Sequence, residues 1–148
     1  MYNGIILFLA VGLFASIFSI LNDTADVLVV KISGNPNDYT FSVTLESPDT
    51  GCDQYANWWE VITPGGDLVY RRILGHSHVN EQPFTRSGGP VQISEDQEVI
   101  IRAHMNNTGY GGKAMRGSVA AGFKPVVLEK DFAGYLETEE PQPSGCAF

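Results

Sequence analysis

One uninterrupted apolar segment near the amino terminus constrains this chain more than any other feature. Seventeen residues, Ile5 to Leu21, contain no charge, no amide side chain and no proline. A helix rises about 1.5 Å per residue, so a helix from Gly4 to Leu21 would span roughly 27 Å, close to the ~30 Å hydrocarbon core of a bilayer. The sequence therefore predicts an N-terminal transmembrane anchor within residues 1–25.

A cleaved secretory signal is the alternative interpretation of the same segment. Signal peptides begin with basic residues, but Met1 to Gly4 contain no Lys or Arg. Cleavage after Ala25 would place Asp23 at the minus-three position, where a small residue is required. Both observations favour a segment that is retained in the membrane.

Small residues recur along one face of the predicted helix. They fall at the helical spacings i, i+3, i+4 and i+7: Gly12, Ala15, Ser16 and Ser19. Lipid provides no hydrophobic drive between helices, so close packing of backbones substitutes for it. We expect this stripe to contact other integral membrane subunits.

Composition limits what the remaining chain can do. A chain of 148 residues with 43% apolar content has room for one anchor and one domain with a core. The net charge of −8 argues against nucleic acid as a partner, because phosphate binding requires a basic surface. Residues 129–148 carry much of the acidity and two prolines, and they are expected to form a separate C-terminal tail.

After the apolar segment, hydrophobic residues alternate with a period of two, which indicates β-strands. About seven short strands predict an all-β, antiparallel β-sandwich of immunoglobulin-like type over residues 26–128. A small closed barrel is the alternative architecture. The predicted strands are 27–32, 41–46, 58–62, 68–74, 91–94, 99–104 and 118–123, with 126–128 as a possible extension.

The chain contains two cysteines, Cys52 and Cys146. An even number in a protein destined for an oxidising compartment predicts a disulfide, and two free thiols are the alternative. A bond between them would strap the tail along the domain.

Two glycine-rich segments, 76–90 and 105–117, are predicted to be long loops. Each follows a strand and one strand lies between those two, so both loops are expected at the same end of the sandwich. Aromatic and basic residues of this kind are enriched in protein interfaces. The predicted interface residues of these loops are Phe84, Arg86, Tyr110, Lys113 and Arg116.

All three histidines lie in or beside these loops, at His76, His78 and His104. Two imidazoles on one face of a strand, with a third from a neighbouring strand, would suit zinc or copper. A fourth ligand could come from Asp53, Glu81 or Met105. The favoured interpretation is that these imidazoles are structural and that the protein has no cofactor, and binding of copper or zinc is the alternative.

No nucleophile motif such as GxSxG organises the serine, histidine and acidic residues, so an enzyme is not expected. The leading hypothesis is a non-enzymatic, single-span accessory subunit of a larger membrane complex, in contact with the lipid bilayer and with integral membrane subunits. Its sandwich would dock on the extracytoplasmic face, periplasmic or extracellular. The alternatives are an extracytoplasmic copper- or zinc-binding protein and, if the apolar segment is cleaved, a secreted adhesive module.

Overall fold

The computed structural model describes residues 22–147. The predicted transmembrane helix and its stripe of Gly12, Ala15, Ser16 and Ser19 lie outside the described residues. Within residues 22–147, no helix combines the length and apolar character needed to cross a membrane. The described elements are β1 (Asp26–Asn35), β2 (Asp38–Glu46), β3 (Ala56–Ile62), β4 (Leu68–Ile73), β5 (Phe84–Val91), β6 (Val99–Met105), β7 (Lys113–Ser118), β8 (Gly122–Val127) and a 3₁₀ helix (Gly134–Thr138).

These strands form two antiparallel sheets that pack face to face. One sheet has the order β1-β2-β5, and the other has the order β4-β3-β6-β7-β8. The all-β sandwich predicted from the alternating pattern is therefore confirmed, with eight described strands rather than about seven. The core between the sheets contains Phe41, Leu45, Trp59 and Ile101, each completely buried.

The first hairpin shows why the alternation was informative. In β2, Tyr39, Phe41, Val43 and Leu45 are buried while the residues between them are at least partly exposed. The β1–β2 turn closes through a tight connection in which Asn37 adopts a φ of 66°. Asparagine tolerates this left-handed conformation better than most residues do.

The prediction that residues 84–90 belong to a loop was wrong, as was the predicted strand at 91–94. Residues Phe84–Val91 form β5, which pairs with β2. Its glycines are needed because other groups approach the backbone closely. A Cβ at Gly88 would lie 2.5 Å from the Tyr70 hydroxyl, and one at Gly89 would lie 2.7 Å from the Tyr39 carbonyl oxygen.

The predicted strand at 118–123 was also wrong, because this segment contains a turn. It separates β7 from β8, with Ser118 paired to Gly122. Gly122 has a φ of 80°, which lets the chain reverse, and the Ser118 hydroxyl accepts a hydrogen bond from the Ala121 N–H. Residues 113–117, predicted as loop, therefore belong to a strand.

The acidic tail covers the outer face of the five-stranded sheet. As a result, every residue of β3 and of β6 is buried, although only one face of each strand points into the sandwich core. Leu136 of the 3₁₀ helix packs with Ile62, Ile100 and Ala114 in a second apolar cluster on this outer face. The tail thus acts as a third layer.

The disulfide predicted between the two cysteines is confirmed. Cys52 is bonded to Cys146 across a sequence separation of 94 residues. Next to it, the Ala147 N–H donates a hydrogen bond to the Gly75 carbonyl at 2.8 Å. The end of the tail is therefore attached to the domain, as the strap interpretation predicts.

Replacing both cysteines by serine should lower the free energy of unfolding by about 4–5 kcal/mol, because a loop of this length restricts the unfolded chain. Urea denaturation followed by tryptophan fluorescence would measure the change. Reduction of the unmodified protein should reproduce it. A loss below about 1 kcal/mol would show that the tail contacts alone hold the strap.

Candidate functional site

A buried carboxylate lies between two arginines on the outer face of the five-stranded sheet. Glu60, in the middle of β3, is opposite Arg71 of β4 and Arg102 of β6. The Arg71 Nε donates to one carboxylate oxygen at 2.9 Å, and the Arg102 Nε donates to the other at 2.8 Å. All three side chains are almost completely inaccessible to solvent. We call this group the arginine clamp.

The remaining guanidinium N–H groups of the clamp hold the tail. Arg71 donates to the carbonyl oxygens of Leu136 and Glu139, each at 2.6 Å, and to that of Pro141 at 3.1 Å. Arg102 donates to the carbonyl oxygens of Phe132 and Ala133 at 2.6 and 3.1 Å. Five carbonyl groups of a non-repetitive segment are thereby satisfied by two side chains, as burial requires.

Aromatic rings complete the surface beneath the tail. The Arg71 guanidinium lies 4.4 Å from the centre of the Trp58 ring, and that of Arg102 lies 3.4 Å from the Tyr110 ring. Trp58 also stacks on the imidazole of His104, with ring centres 3.7 Å apart. Burial raises the pKa of Tyr110, so its hydroxyl stays protonated. The outward orientation of Trp58, with Trp59 in the core, agrees with the alternation of a strand.

A polar groove of about 480 Å³ opens beside this surface, between the tail and the turn after β6. Its lining is mostly polar and contains imidazole, amide, hydroxyl and carboxylate groups; the other two lining residues are Trp58 and Gly109. The polar residues are Asn57, His104, Asn106, Asn107, Thr108, Glu137, Thr138 and Gln142. We call it the tail groove.

His104 is the most buried titratable group of the tail groove. Its Nδ1 lies 2.7 Å from the Asn57 side-chain oxygen, and its Nε2 lies 3.5 Å from a Glu137 carboxylate oxygen. Burial, followed by the charges of Arg71 and Arg102, lowers the pKa of His104 to about 3. The imidazole is therefore neutral at physiological pH and can act as a lone-pair donor.

His78 occupies a different environment, away from the tail groove. Its ring stacks on Phe84, with centres 3.7 Å apart, and its backbone N–H donates to the Asp49 carboxylate at 2.8 Å. Neither ring nitrogen has a hydrogen-bond partner among the described residues. Burial lowers the pKa of His78 to about 4, and the nearby charges of Arg86 and His76 act in the same direction.

The three histidines predicted as metal ligands are not brought together as one set. The rings of His76 and His78 lie 4.3 Å apart, while His104 stacks on Trp58 in the tail groove. In the described part of the chain, no group of three or more His, Cys, Asp or Glu side chains is arranged to hold a metal ion. Copper or zinc binding by this set stays a prediction.

The suggested fourth ligands have other surroundings. Met105 is completely buried in the sandwich core. Glu81 forms an ion pair with Arg86 at 2.8 Å, which lowers the pKa of Glu81. Asp53 is exposed, next to the disulfide-bonded Cys52.

The five predicted interface residues do not share one loop surface. The loops after β4 and β6 do leave the same end of the sandwich, because Ile73 and His104 both pair with Trp58. The placement of four of the interface residues on loops was wrong, since Phe84 and Arg86 lie in β5 and Lys113 and Arg116 lie in β7. Phe84 and Tyr110 are buried, whereas Lys113 and Arg116 are exposed. Their role in an interface stays a prediction.

Sequence reasoning missed the clamp, although a signal was present. Glu60 stands between apolar residues in a strand, as Arg102 does, and charged residues are rarely fully buried unless they are paired. Asn57 and Glu137 carried no comparable signal. Their approach to His104 depends on how the tail folds back.

A comparison with curated proteins finds a partial relative. A protein of Halomicrobium mukohataei named "Putative lipoprotein" is 47% identical over 76 residues, which are 51% of this chain and 37% of that protein. The chain thus spans little more than a third of the relative's length. No protein-family model matches the chain, and no solved structure matches it.

Replacing Glu60 by leucine should lower the free energy of unfolding by about 3–5 kcal/mol, because two buried guanidinium groups lose their counter-charge. Chemical denaturation would measure this loss. The matched control is Glu98→Gln, which breaks the exposed pair with Arg116 and should change stability by less than about 1 kcal/mol. Equal effects of the two substitutions would contradict a structural role for the clamp.

Stability should decrease as the pH falls from about 6.5 towards 4, because the unfolded chain binds protons at His78 and at His104 that the folded chain excludes. Replacing His78 by phenylalanine should reduce the slope of unfolding free energy against pH by up to about 1.4 kcal/mol per pH unit. Denaturation at several pH values would measure the slope. His76→Gln, at an exposed imidazole, should keep most of it, and an unchanged slope in His78→Phe would refute the assignment.

Proposed function

We propose that this protein is a non-catalytic, membrane-anchored accessory module that presents its β-sandwich outside the cytoplasm. The observation that carries this proposal is the disulfide between Cys52 and Cys146. Disulfides of this kind persist in oxidising compartments and are rare in the cytosol. Because this one joins the end of the tail to the domain, it supports an extracytoplasmic position for the whole described region.

The start of the domain supports an anchored arrangement. Only four residues separate Leu21, the last residue of the apolar segment, from β1 at Asp26. This connection and the start of β1 are held against the domain, since the Thr108 hydroxyl donates to the Asp23 carbonyl at 2.5 Å and the Asp26 side chain accepts from the Lys113 N–H at 2.7 Å. If the apolar segment spans the bilayer, such a connection keeps the sandwich at the membrane surface.

The partial relative supports the same location. Its name, "Putative lipoprotein", suggests a membrane-anchored or extracellular protein. Its match with about half of this chain supports an extracytoplasmic domain next to a membrane. We further propose that the sandwich is of the immunoglobulin-like type. The anchor would end at residue 25 and the sandwich at residue 128, where the tail begins.

The finer part of the proposal is membership of a larger membrane complex. It rests on the small-residue stripe in the apolar segment, which suits packing against other membrane helices. The exposed Lys113 and Arg116 of β7 would supply contacts outside the bilayer. The partners are therefore integral membrane subunits and lipid.

Membrane fractionation tests the anchor. The full-length protein should remain with membranes after alkaline extraction, and an externally added protease should reach its sandwich in intact cells or spheroplasts. A soluble mature chain that begins near Ala25 would contradict the anchor and would favour a secreted module.

Mild detergent extraction and native separation test the assembly. The wild-type protein should migrate in a complex larger than its own 16.1 kDa mass, whereas Gly12→Leu and Ser16→Leu should release it. The matched control is Leu9→Ile, which leaves the stripe unchanged. Migration as a monomer, without any effect of the two substitutions, would refute the accessory-subunit role.

A further inference from the structure

The tail groove contains two hydrogen-bond acceptors that face each other. The Nε2 atom of His104 and a carboxylate oxygen of Glu137 lie 3.5 Å apart. His104 is 6% exposed, so its orientation is set by packing, while the Glu137 side chain is about half exposed and reaches solvent. The pair is therefore built from a rigid, buried imidazole and an accessible carboxylate.

The hydrogen bond to Asn57 determines what the imidazole offers to the groove. His104 Nδ1 lies 2.7 Å from the Asn57 side-chain oxygen, and because that oxygen can only accept, a hydrogen bond between them requires the ring proton on Nδ1. Nε2 then presents a lone pair towards Glu137. A metal-binding histidine usually donates the N–H of one ring nitrogen to an oxygen and presents its other ring nitrogen to the ion.

The separation of the two acceptors agrees with this chemistry. Zinc lies about 2.0–2.1 Å from histidine nitrogen and about 2.0–2.2 Å from carboxylate oxygen, so two ligands of a tetrahedral ion are roughly 3.3–3.5 Å apart. The observed 3.5 Å falls in this range. Two acceptors without a proton or cation between them would repel each other at this distance.

The fold holds Glu137 in place over the histidine. The 3₁₀ helix that carries it is fixed by the bond from Arg71 to the Leu136 carbonyl oxygen. Gly109 leaves room for the carboxylate, because a Cβ at this position would lie 2.5 Å from the Glu137 Oε1 atom. Both ligands are therefore positioned before any ion arrives.

The lining of the groove is polar, and the cationic side chains nearest to His104 are the buried Arg71 and Arg102 of the clamp. Among its lining residues there is no lysine, arginine or aliphatic side chain. Asn107, Thr108 and Gln142 line the same space, so polar groups are available near water bound to an ion. The groove is open to solvent, which gives an ion a path of entry.

We propose that the tail groove binds a divalent transition-metal ion of the zinc or copper class through His104 Nε2 and the Glu137 carboxylate, with water in the remaining positions. This site goes beyond the proposed accessory role and does not depend on it. It differs from the three-histidine set, because the tail supplies the second ligand and neither His76 nor His78 takes part.

Zinc titration of the metal-free protein, prepared without a histidine tag, tests the proposal. Isothermal titration calorimetry should show one ion per chain. A thermal denaturation scan should show a higher melting temperature at saturating zinc. Glu137→Gln should weaken zinc binding at least tenfold while the fold is retained, because this side chain is half exposed. His104→Gln should abolish binding, with circular dichroism to check folding.

Two matched controls distinguish this site from adventitious surface binding. His76→Gln removes an exposed histidine, and Glu140→Gln removes an exposed carboxylate of the same tail, so both should bind zinc like the wild type. Loss of binding in His76→Gln, or full binding in Glu137→Gln, would overturn the proposal.

Nitrogen-15 NMR of the histidine side chains gives an independent readout. In the metal-free protein, His104 should carry its proton on Nδ1, and zinc should shift the Nε2 resonance. A proton on Nε2 that persists with zinc present would show that Nε2 donates to Glu137 instead, and would refute the site.

Discussion

The architecture of this protein depends on a carboxylate buried between two guanidinium groups. Glu60 is completely inaccessible, and the loss of its hydration is compensated only because Arg71 and Arg102 each donate to one of its oxygens. The two arginines retain further N–H groups, which must also be satisfied inside the protein. Backbone carbonyl groups of the tail accept these hydrogen bonds. The clamp and the tail therefore satisfy each other's buried polar groups.

This mutual dependence explains the layered arrangement. A two-layer sandwich would leave the outer face of β3 and β6 in water, yet both strands are buried along their whole length. The tail provides the missing cover with a short 3₁₀ helix, one buried leucine and main-chain carbonyls, and the disulfide attaches its end to Cys52, in the segment before β3. The same segment creates the tail groove, because Glu137 reaches His104 only when the clamp holds the helix.

The sequence predicted the elements whose burial follows a regular pattern. In β2, one face is buried and the other is not, so the period of two was visible. The same period was not visible in β5. Its Gly88 and Gly89 are required by the close approach of Tyr70 and Tyr39, which are distant in sequence. The apolar character of residues 118–123 was equally misleading, since the segment contains the turn between β7 and β8. The strand predictions were wrong where the residue type is required by backbone geometry rather than by side-chain burial.

Local pattern by itself determined the all-β architecture, the opposite orientations of the adjacent Trp58 and Trp59, and the pairing of the only two cysteines. Each of these follows from side-chain periodicity or from the number of candidates available. Tertiary structure alone decided that the tail would cover the outer face of the five-stranded sheet, that Glu60 would meet two arginines, and that Glu137 would face His104. These contacts join residues far apart in the chain, and their energies depend on burial, which no local stretch of sequence encodes.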